Sequence, residues 1–243
     1  MAPVKQFFQA LLDVILPPLC HICHSFIPNA GTLHICTSCR ESLPLVSSPL
    51  CTICGVPFFA AGGDHRCGAC LTHPPHYDTA RAHFLYEGPI RELIHSFKYN
   101  QRTHLRSPLA LLTIEGVGVF LADQNLHAII PVPLHRSRLR PRGVNQAVLL
   151  GNILSRHLSI PLLPDALVRT RQTEPQIDLS ATERRMNVKG AFTVNRAELV
   201  AGKRLLLFDD VMTTGSTINE CAMELKKAGA EFVVATTIAR TAK

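Results

Sequence analysis

The chain has 243 residues, 47% of them hydrophobic, and a formal charge of +7 from 25 Lys and Arg against 18 Asp and Glu. That length buries a real core and accommodates one ordinary domain plus a small one. The basic balance favours anionic partners, nucleic acid or phosphorylated small molecules, without choosing between them. The absence of Trp and the presence of only three Tyr leave few rings for stacking on single-stranded bases. No stretch is expected to reach the ~18 apolar residues of a membrane span.

Residues 1–18 read as an amphipathic helix, with Phe7, Phe8, Leu11, Leu12 and Ile15 in the apolar stretch from Gln6 to Leu16. Lys5 is the sole basic residue there, Asp13 interrupts the run and no small-residue cleavage site follows, so an export signal is not expected. The expected location is the cytoplasm, where thiols stay reduced.

Residues 19–76 carry eight of the nine cysteines in four Cys-x-x-Cys pairs: Cys20/Cys23, Cys36/Cys39, Cys51/Cys54 and Cys67/Cys70. The last two pairs repeat the first two at an offset of 31 residues, and Pro18-Leu19-Cys20-His21-Ile22-Cys23 is echoed by Pro49-Leu50-Cys51-Thr52-Ile53-Cys54. A knuckle turn aims two such sulfurs at one ion and two knuckles complete a tetrahedral site, so the pattern predicts a duplicated unit with two structural Zn2+. The equal spacing favours sequential pairing within each repeat, with an interleaved, cross-braced arrangement as the alternative. His21, His24, His34 and His65 lie beside the knuckles as bystanders. The unit is too small, and too poor in periodic apolar residues, to fold without metal.

Residues 77–243 alternate strand and helix patterns in the order of an α/β domain. Arg81 to Tyr86 reads as a strand, Pro89 to Tyr99 as a helix with Pro at its start, and a further helix falls within Leu105 to Leu112. Leu126 to Pro133 is a buried strand, and Asn145 to Leu158 an amphipathic helix. Residues 160–192 form a mobile excursion with a short helix around Thr182 to Val188. Cys221, on the last helix beside Ile218, Ala222 and Leu225, reads as a packing residue.

The strongest chemical motif comes late. Arg204 to Phe208 is a strand buried on both faces, followed by the pair Asp209-Asp210, a loop, and a helix to about Ala228. The carboxyl end of such a strand is where open α/β sheets bind ligands. Thr213, Thr214, Gly215, Ser216 and Thr217 are small, and their N–H groups at the positive end of a helix suit a phosphate. Carboxylates do not hold phosphate, so Asp209 and Asp210 serve sugar hydroxyls or a hydrated Mg2+. Together they describe a sugar phosphate. A second cluster places His135, Arg136, Arg138, Arg140 and Arg142 in an irregular loop after a strand end, where guanidinium forks suit a pyrophosphate or a nucleic-acid backbone.

The run from Asp209 to Thr217 resembles the phosphoribosyl pyrophosphate (PRPP) motif of type I phosphoribosyltransferases. With the doubled four-cysteine unit and the segment from Pro131 to Gln146, the chain as a whole resembles the ComF family; Lys98-Tyr99 and the stretch from Thr173 to Phe192 share the likeness. It departs from that pattern at His24, where glycine is common after the first knuckle, and at Val144, where an aromatic is usual. The resemblance implies a type I phosphoribosyltransferase-like parallel sheet flanked by helices, behind an amino-terminal double zinc ribbon. It implies PRPP with Mg2+ on Asp209, Asp210 and Thr213 to Thr217, and a pyrophosphate loop from Pro133 to Arg138. It also implies a flexible loop from Arg171 to Lys189 that brings Arg184, Arg185 or Lys189 to the pyrophosphate. Single-stranded DNA and competence proteins are the partners it suggests, with a role in DNA uptake during natural transformation. Three classes stay open: a working transferase, a DNA-handling protein that reuses the fold for phosphate recognition, and a zinc-ribbon adaptor with a residual ligand site.

Overall fold

The computed structural model describes residues 17–28, 30–99, 102–137, 139, 143–173 and 180–242. The helix expected from Gln6 to Leu16 lies outside them. Two compact units make up the chain, one ending at Leu43 and the other beginning at Pro44.

The repeat seen in the sequence is kept in the backbone hydrogen bonds of both knuckles. Cys20 N–H donates to the Ser25 carbonyl at 2.9 Å and Cys51 N–H to that of Val56 at 2.8 Å; Ile27 donates to Pro18 and Phe58 to Pro49; His21 donates to His34 and Thr52 to His65. Each second Cys-x-x-Cys pair opens a one-turn helix, α1 (Thr37–Glu41) and α2 (Gly68–Thr72). Each first pair closes with a left-handed residue whose N–H returns to the first cysteine carbonyl, His24 at φ 60° and Gly55 at φ 68°. The knuckle requires that backbone, which glycine adopts without steric cost and histidine does not.

In the larger unit the second ribbon is docked on the sheet. Ile53 C=O accepts from Ala80 N–H at 2.6 Å and Thr52 C=O from the Arg81 guanidinium at 3.2 Å. A Cβ on Gly55 would stand 2.6 Å from the Ala80 carbonyl oxygen, so this glycine answers a close approach as well as a positive φ. Residues 44–46 line the same strand, with Val46 N–H donating to His83 and Leu85 N–H to Pro44.

The sheet holds β1 (Thr79–Leu85), β2 (Ala128–Pro131), β5 (Arg204–Met212) and β6 (Phe232–Arg240) in the order β1-β6-β5-β2, all parallel. Helices α3 (Gly88–Tyr99), α4 (Arg106–Ala122), α5 (Gln146–Leu158), α6 (Ala181–Val188) and α7 (Ser216–Lys227) flank it. Leu205 and Leu207 of β5 share a core with Ile218, Cys221, Ala222 and Leu225 of α7; the pleat sends Leu206 and Phe208 to the other face. Cys221 is fully buried there, as its neighbours predict.

Several elements differ from expectation. α4 extends to Ala122, and with its preceding turn the helical stretch Thr103–Ala122 is long and apolar enough to cross a membrane by length and composition, correcting the expectation that no stretch is. It packs against α5, β1 and β6 and buries Leu109, Leu112, Val117 and Leu121, which is why its residues are apolar. Strand β5 runs on to Met212, so the acidic pair sits within it instead of after it, because β6 pairs with it that far: Asp209 opposite Thr237 and Met212 opposite Arg240. The short helix expected around Thr182 to Val188 is there as α6, capped by a Ser180–Glu183 capping box, but it is accompanied by an unforeseen antiparallel pair, β3 (Leu167–Arg169) with β4 (Phe192–Val194). The arginine segment opens with a helical turn, Leu139 N–H donating to the His135 carbonyl at 3.0 Å, where an irregular loop was expected.

The two knuckles should respond oppositely to substitution. Gly55→Ala should cost about 2 kcal/mol or more through strain and contact with Ala80, whereas His24→Gly should change stability by under about 1 kcal/mol. Urea midpoints of the zinc-loaded proteins measure both.

Candidate metal centres and ligand cleft

The sulfurs of Cys20, Cys23, Cys36 and Cys39 lie within 4.8 Å of one another, as do those of Cys51, Cys54, Cys67 and Cys70, the sequential pairing. None of the eight is in a disulfide. The Cys23–Cys36 and Cys54–Cys67 sulfurs are 3.7 and 3.8 Å apart, matching the ~3.8 Å edge of a tetrahedron with Zn–S near 2.3 Å. Backbone N–H groups point at the sulfurs: Cys36 at Cys20 Sγ, 3.4 Å, and Cys67 at Cys51 Sγ, 3.3 Å. Burial opposes ionisation of Cys51, yet the N–H groups of Cys67, Cys54 and Ile53 bring its thiol down to about 6. Burial and then the charge of Cys54 push Cys70 well up, a conflict that a divalent ion resolves by letting all four ionise. Among the described residues no histidine joins either tetrad; His65 instead stacks on Phe58 at 4.1 Å. Both tetrads are structural zinc sites. The second is buried throughout, while Cys23 of the first is exposed.

At the carboxyl end of the sheet lies a cleft of about 820 Å³. Strand β5 brings Asp209 and Asp210 to it, and the turn into α7 brings Thr213, Gly215, Ser216 and Thr217. Gly215 is the N-cap of α7 at φ 77°, a left-handed residue that turns the chain from strand to helix and supplies no side-chain cap; Ser216 N–H donates to the Thr214 hydroxyl at 3.4 Å, and the later first-turn amides are the ones left for an anion. Thr214 and Ser216 hydroxyls bond each other at 2.8 Å, which fixes the turn from inside.

Asp210 forms an ion pair of 2.7 Å with Lys98 of α3, both side chains largely buried. Burial pulls the Lys98 ammonium down, but the charges of Asp210 and Asp209 overcome this and hold it above its usual range. Burial and the charge of Asp210 push the Asp209 carboxyl up to about 7, against the pull of Lys98. Asp209 also accepts the Asp210 N–H at 2.9 Å.

Of the residues singled out in the sequence, Asp209, Asp210, Thr213, Gly215, Ser216, Thr217 and Arg184 line the cleft; Thr214, His135, Arg136, Arg185 and Lys189 do not. Arg138, Arg140 and Arg142 lie outside the described residues. The excursion is tied at its base, where the Arg171 guanidinium donates to the carbonyls of Asn187 and Lys189 and Gly190 N–H to the buried Glu220 carboxylate at 2.6 Å. Sequence reasoning assigned no role to Lys98, Arg169 or Gln146, which also line the cleft. Asn145 caps α5 by accepting from Ala147 N–H and anchors the strand end by donating to the Val132 carbonyl at 3.1 Å. An Asn-Gln pair following a strand was the available signal for this anchor.

Two zinc ribbons and a phosphate-type turn at a parallel-sheet edge define a double zinc-ribbon protein with a phosphoribosyltransferase-type domain. Residues 11–71 match the double zinc ribbon domain family and residues 144–243 the phosphoribosyl transferase domain family. The chain is 39% identical over 176 residues to competence protein F of Haemophilus influenzae, covering 70% of this chain and 76% of that protein. It is 39% identical over 180 residues to DNA utilization protein YhgH of Escherichia coli, covering 71% and 76%. Adenine phosphoribosyltransferase, a solved structure, is 13% identical over 56% of this chain and 72% of that one, with a TM-score of 0.37. The chain belongs to the ComF family.

The raised Asp209 carboxyl sets a pH dependence. Folded, it holds its proton to about pH 7; unfolded, it ionises near pH 4. The unfolded state therefore binds fewer protons between those values, and this residue makes stability fall as pH rises through them. Asp209→Asn should be nearly neutral near pH 4 and stabilising by about 4 kcal/mol near pH 8, read from urea unfolding at the two pH values.

Proposed function

We propose that this chain binds PRPP with Mg2+ in the sheet-end cleft and serves DNA uptake or handling during natural transformation, in the cytoplasm. Asp209 and Asp210 take the ribose hydroxyls or hydrated Mg2+, and Thr213 to Thr217 take the 5′-phosphate. Arg184, Arg185 and Lys189, with the segment from His135 to Arg142, meet pyrophosphate or a nucleic-acid backbone. The observation that carries this is the convergence of an acidic pair and an uncapped helix start on one cleft with Lys98, Arg169 and Arg184, a site with a place for a diol or metal and another for an anion. The names of the Haemophilus influenzae and Escherichia coli relatives extend it to DNA.

Calorimetry tests the ligand. Asp210→Asn should weaken PRPP binding by about tenfold or more and reduce its Mg2+ dependence, and Gly215→Val should abolish binding because valine cannot hold φ 77°. Zinc content should be unchanged in both. PRPP binding like the parent's in both variants sinks the phosphoribosyl reading.

The DNA contact predicts its own salt response. Binding of single-stranded DNA should be sequence-tolerant and weaken steeply with salt, and replacing Arg136, Arg138, Arg140 and Arg142 together with Ala should flatten that slope. Unchanged affinity and slope would remove this segment from the contact. A working transferase is the second reading, favoured by Tyr86, His95 and Tyr99, which line the same cleft and offer ring faces to an acceptor; release of pyrophosphate from Mg2+-PRPP in the presence of nucleobases decides it.

A further inference from the structure

Arg240, the last residue of β6, is the bulkiest of the fully buried side chains, only 2% exposed. Among the described residues no carboxylate forms an ion pair with it. A buried guanidinium without countercharge is costly. Its Nη1 donates to the carbonyl of Cys54, and its Nε to that of Thr241 at 3.3 Å. Cys54 belongs to the buried tetrad, and four thiolates about one Zn2+ carry a net charge of about −2. A zinc-loaded tetrad would supply the countercharge that no carboxylate supplies to Arg240 among the described residues.

On its other side Arg240 leads into the cleft. Thr241 N–H donates to the Met212 carbonyl at 3.1 Å and its hydroxyl to the Thr213 carbonyl at 3.3 Å, where β5 hands over to the phosphate turn. Two further contacts run in parallel. Tyr77 is buried in one core with all four cysteines of the tetrad and with Met212, and its hydroxyl stands 3.8 Å from where a Cβ of residue 215 would be. His76 N–H donates to Asn219 Oδ1 at 2.7 Å, in the first turn of α7. Ribbon and turn therefore share one buried seam.

We infer that Arg240 is a positioning residue that couples the second zinc site to the phosphate turn, so that zinc held by Cys51, Cys54, Cys67 and Cys70 orders Thr213 to Thr217 and zinc held by the first tetrad does not. The coupling is independent of which anion the turn receives; its effect on PRPP rests on the function proposed above.

Hydrogen exchange over residues 211–219, in the full-length zinc-loaded chain with zinc counted by elemental analysis, tests this without any ligand. Arg240→Lys, which keeps the charge but cannot bridge the Cys54 and Thr241 carbonyls, should retain two zinc ions and raise exchange in that segment about tenfold, leaving residues 204–208 unchanged. The pair Cys36→Ser and Cys39→Ser should lose one zinc and leave the segment as in the parent. Stepwise chelation of the parent protein gives the same comparison without substitution: exchange should rise with loss of the buried tetrad's zinc. Parental exchange in Arg240→Lys with both zinc ions bound overturns the coupling. So does equal loosening by the first-tetrad pair, or chelation of the buried zinc without change at 211–219. Should the parent fail to bind PRPP while Arg240→Lys still loosens the turn, the proposed function falls and the coupling stands.

Discussion

The structure of the larger unit depends on the parallel ladder that holds β5 between β2 and β6. Leu205 to Phe208 are wholly buried, because helices and ribbon cover both faces, and such a strand must be apolar until it reaches solvent. Pairing with β6 persists through Met212, beyond the apolar run, so Asp209 and Asp210 leave the core while their backbone is still fixed. A carboxylate on a strand is better fixed than one on a loop. Everything polar in the cleft is placed relative to that edge.

The duplicated ribbons show how one local fold serves two environments. Their knuckle and helix backbone hydrogen bonds repeat at the 31-residue offset, since the knuckle and the one-turn helix are dictated by cysteine spacing and backbone geometry. What differs is the demand on each copy. Gly55 abuts the Ala80 carbonyl, and Cys51, Cys54, Cys67 and Cys70 belong to the main core; His24 is exposed and carries only the cost of a left-handed backbone. The departure from glycine at position 24 is thus tolerated for a reason that position 55 lacks.

Features governed by local chemistry were legible in the sequence. Spacing gave both thiol tetrads, apolar runs gave β1, β5 and α5, and small hydroxylated residues after an acidic pair marked the turn into α7. The reach of α4 was not legible from a short window, because its apolar face is wide where it packs on α5, β1 and β6. The β3–β4 pair escaped notice because three-residue strands are too short for an alternating pattern to register. Lys98 was visible only as part of a resemblance, since nothing within α3 announces that its ammonium will meet a carboxylate more than a hundred residues later. Arg240 was equally silent: a basic residue near a chain's end reads as solvated until the topology buries it.

Lys98 also bears on what the cleft can select. In the free protein it compensates Asp210 at 2.7 Å, so the acidic pair does not stand as an open dianionic trap for any passing cation. A divalent ion brought to the pair has to share or displace that ammonium, and it favours ionisation of Asp209, whose carboxyl stands at about 7; capture of a cation there is coupled to proton release. A bare anion on the phosphate turn gains nothing from either step. A ligand that brings an anionic group to the turn, and hydroxyls or a cation to the carboxylates, engages both halves at once. It also offers the displaced ammonium a new partner. Because Lys98 already compensates Asp210, a ligand that engages only one half of the cleft forgoes what a two-headed ligand would gain.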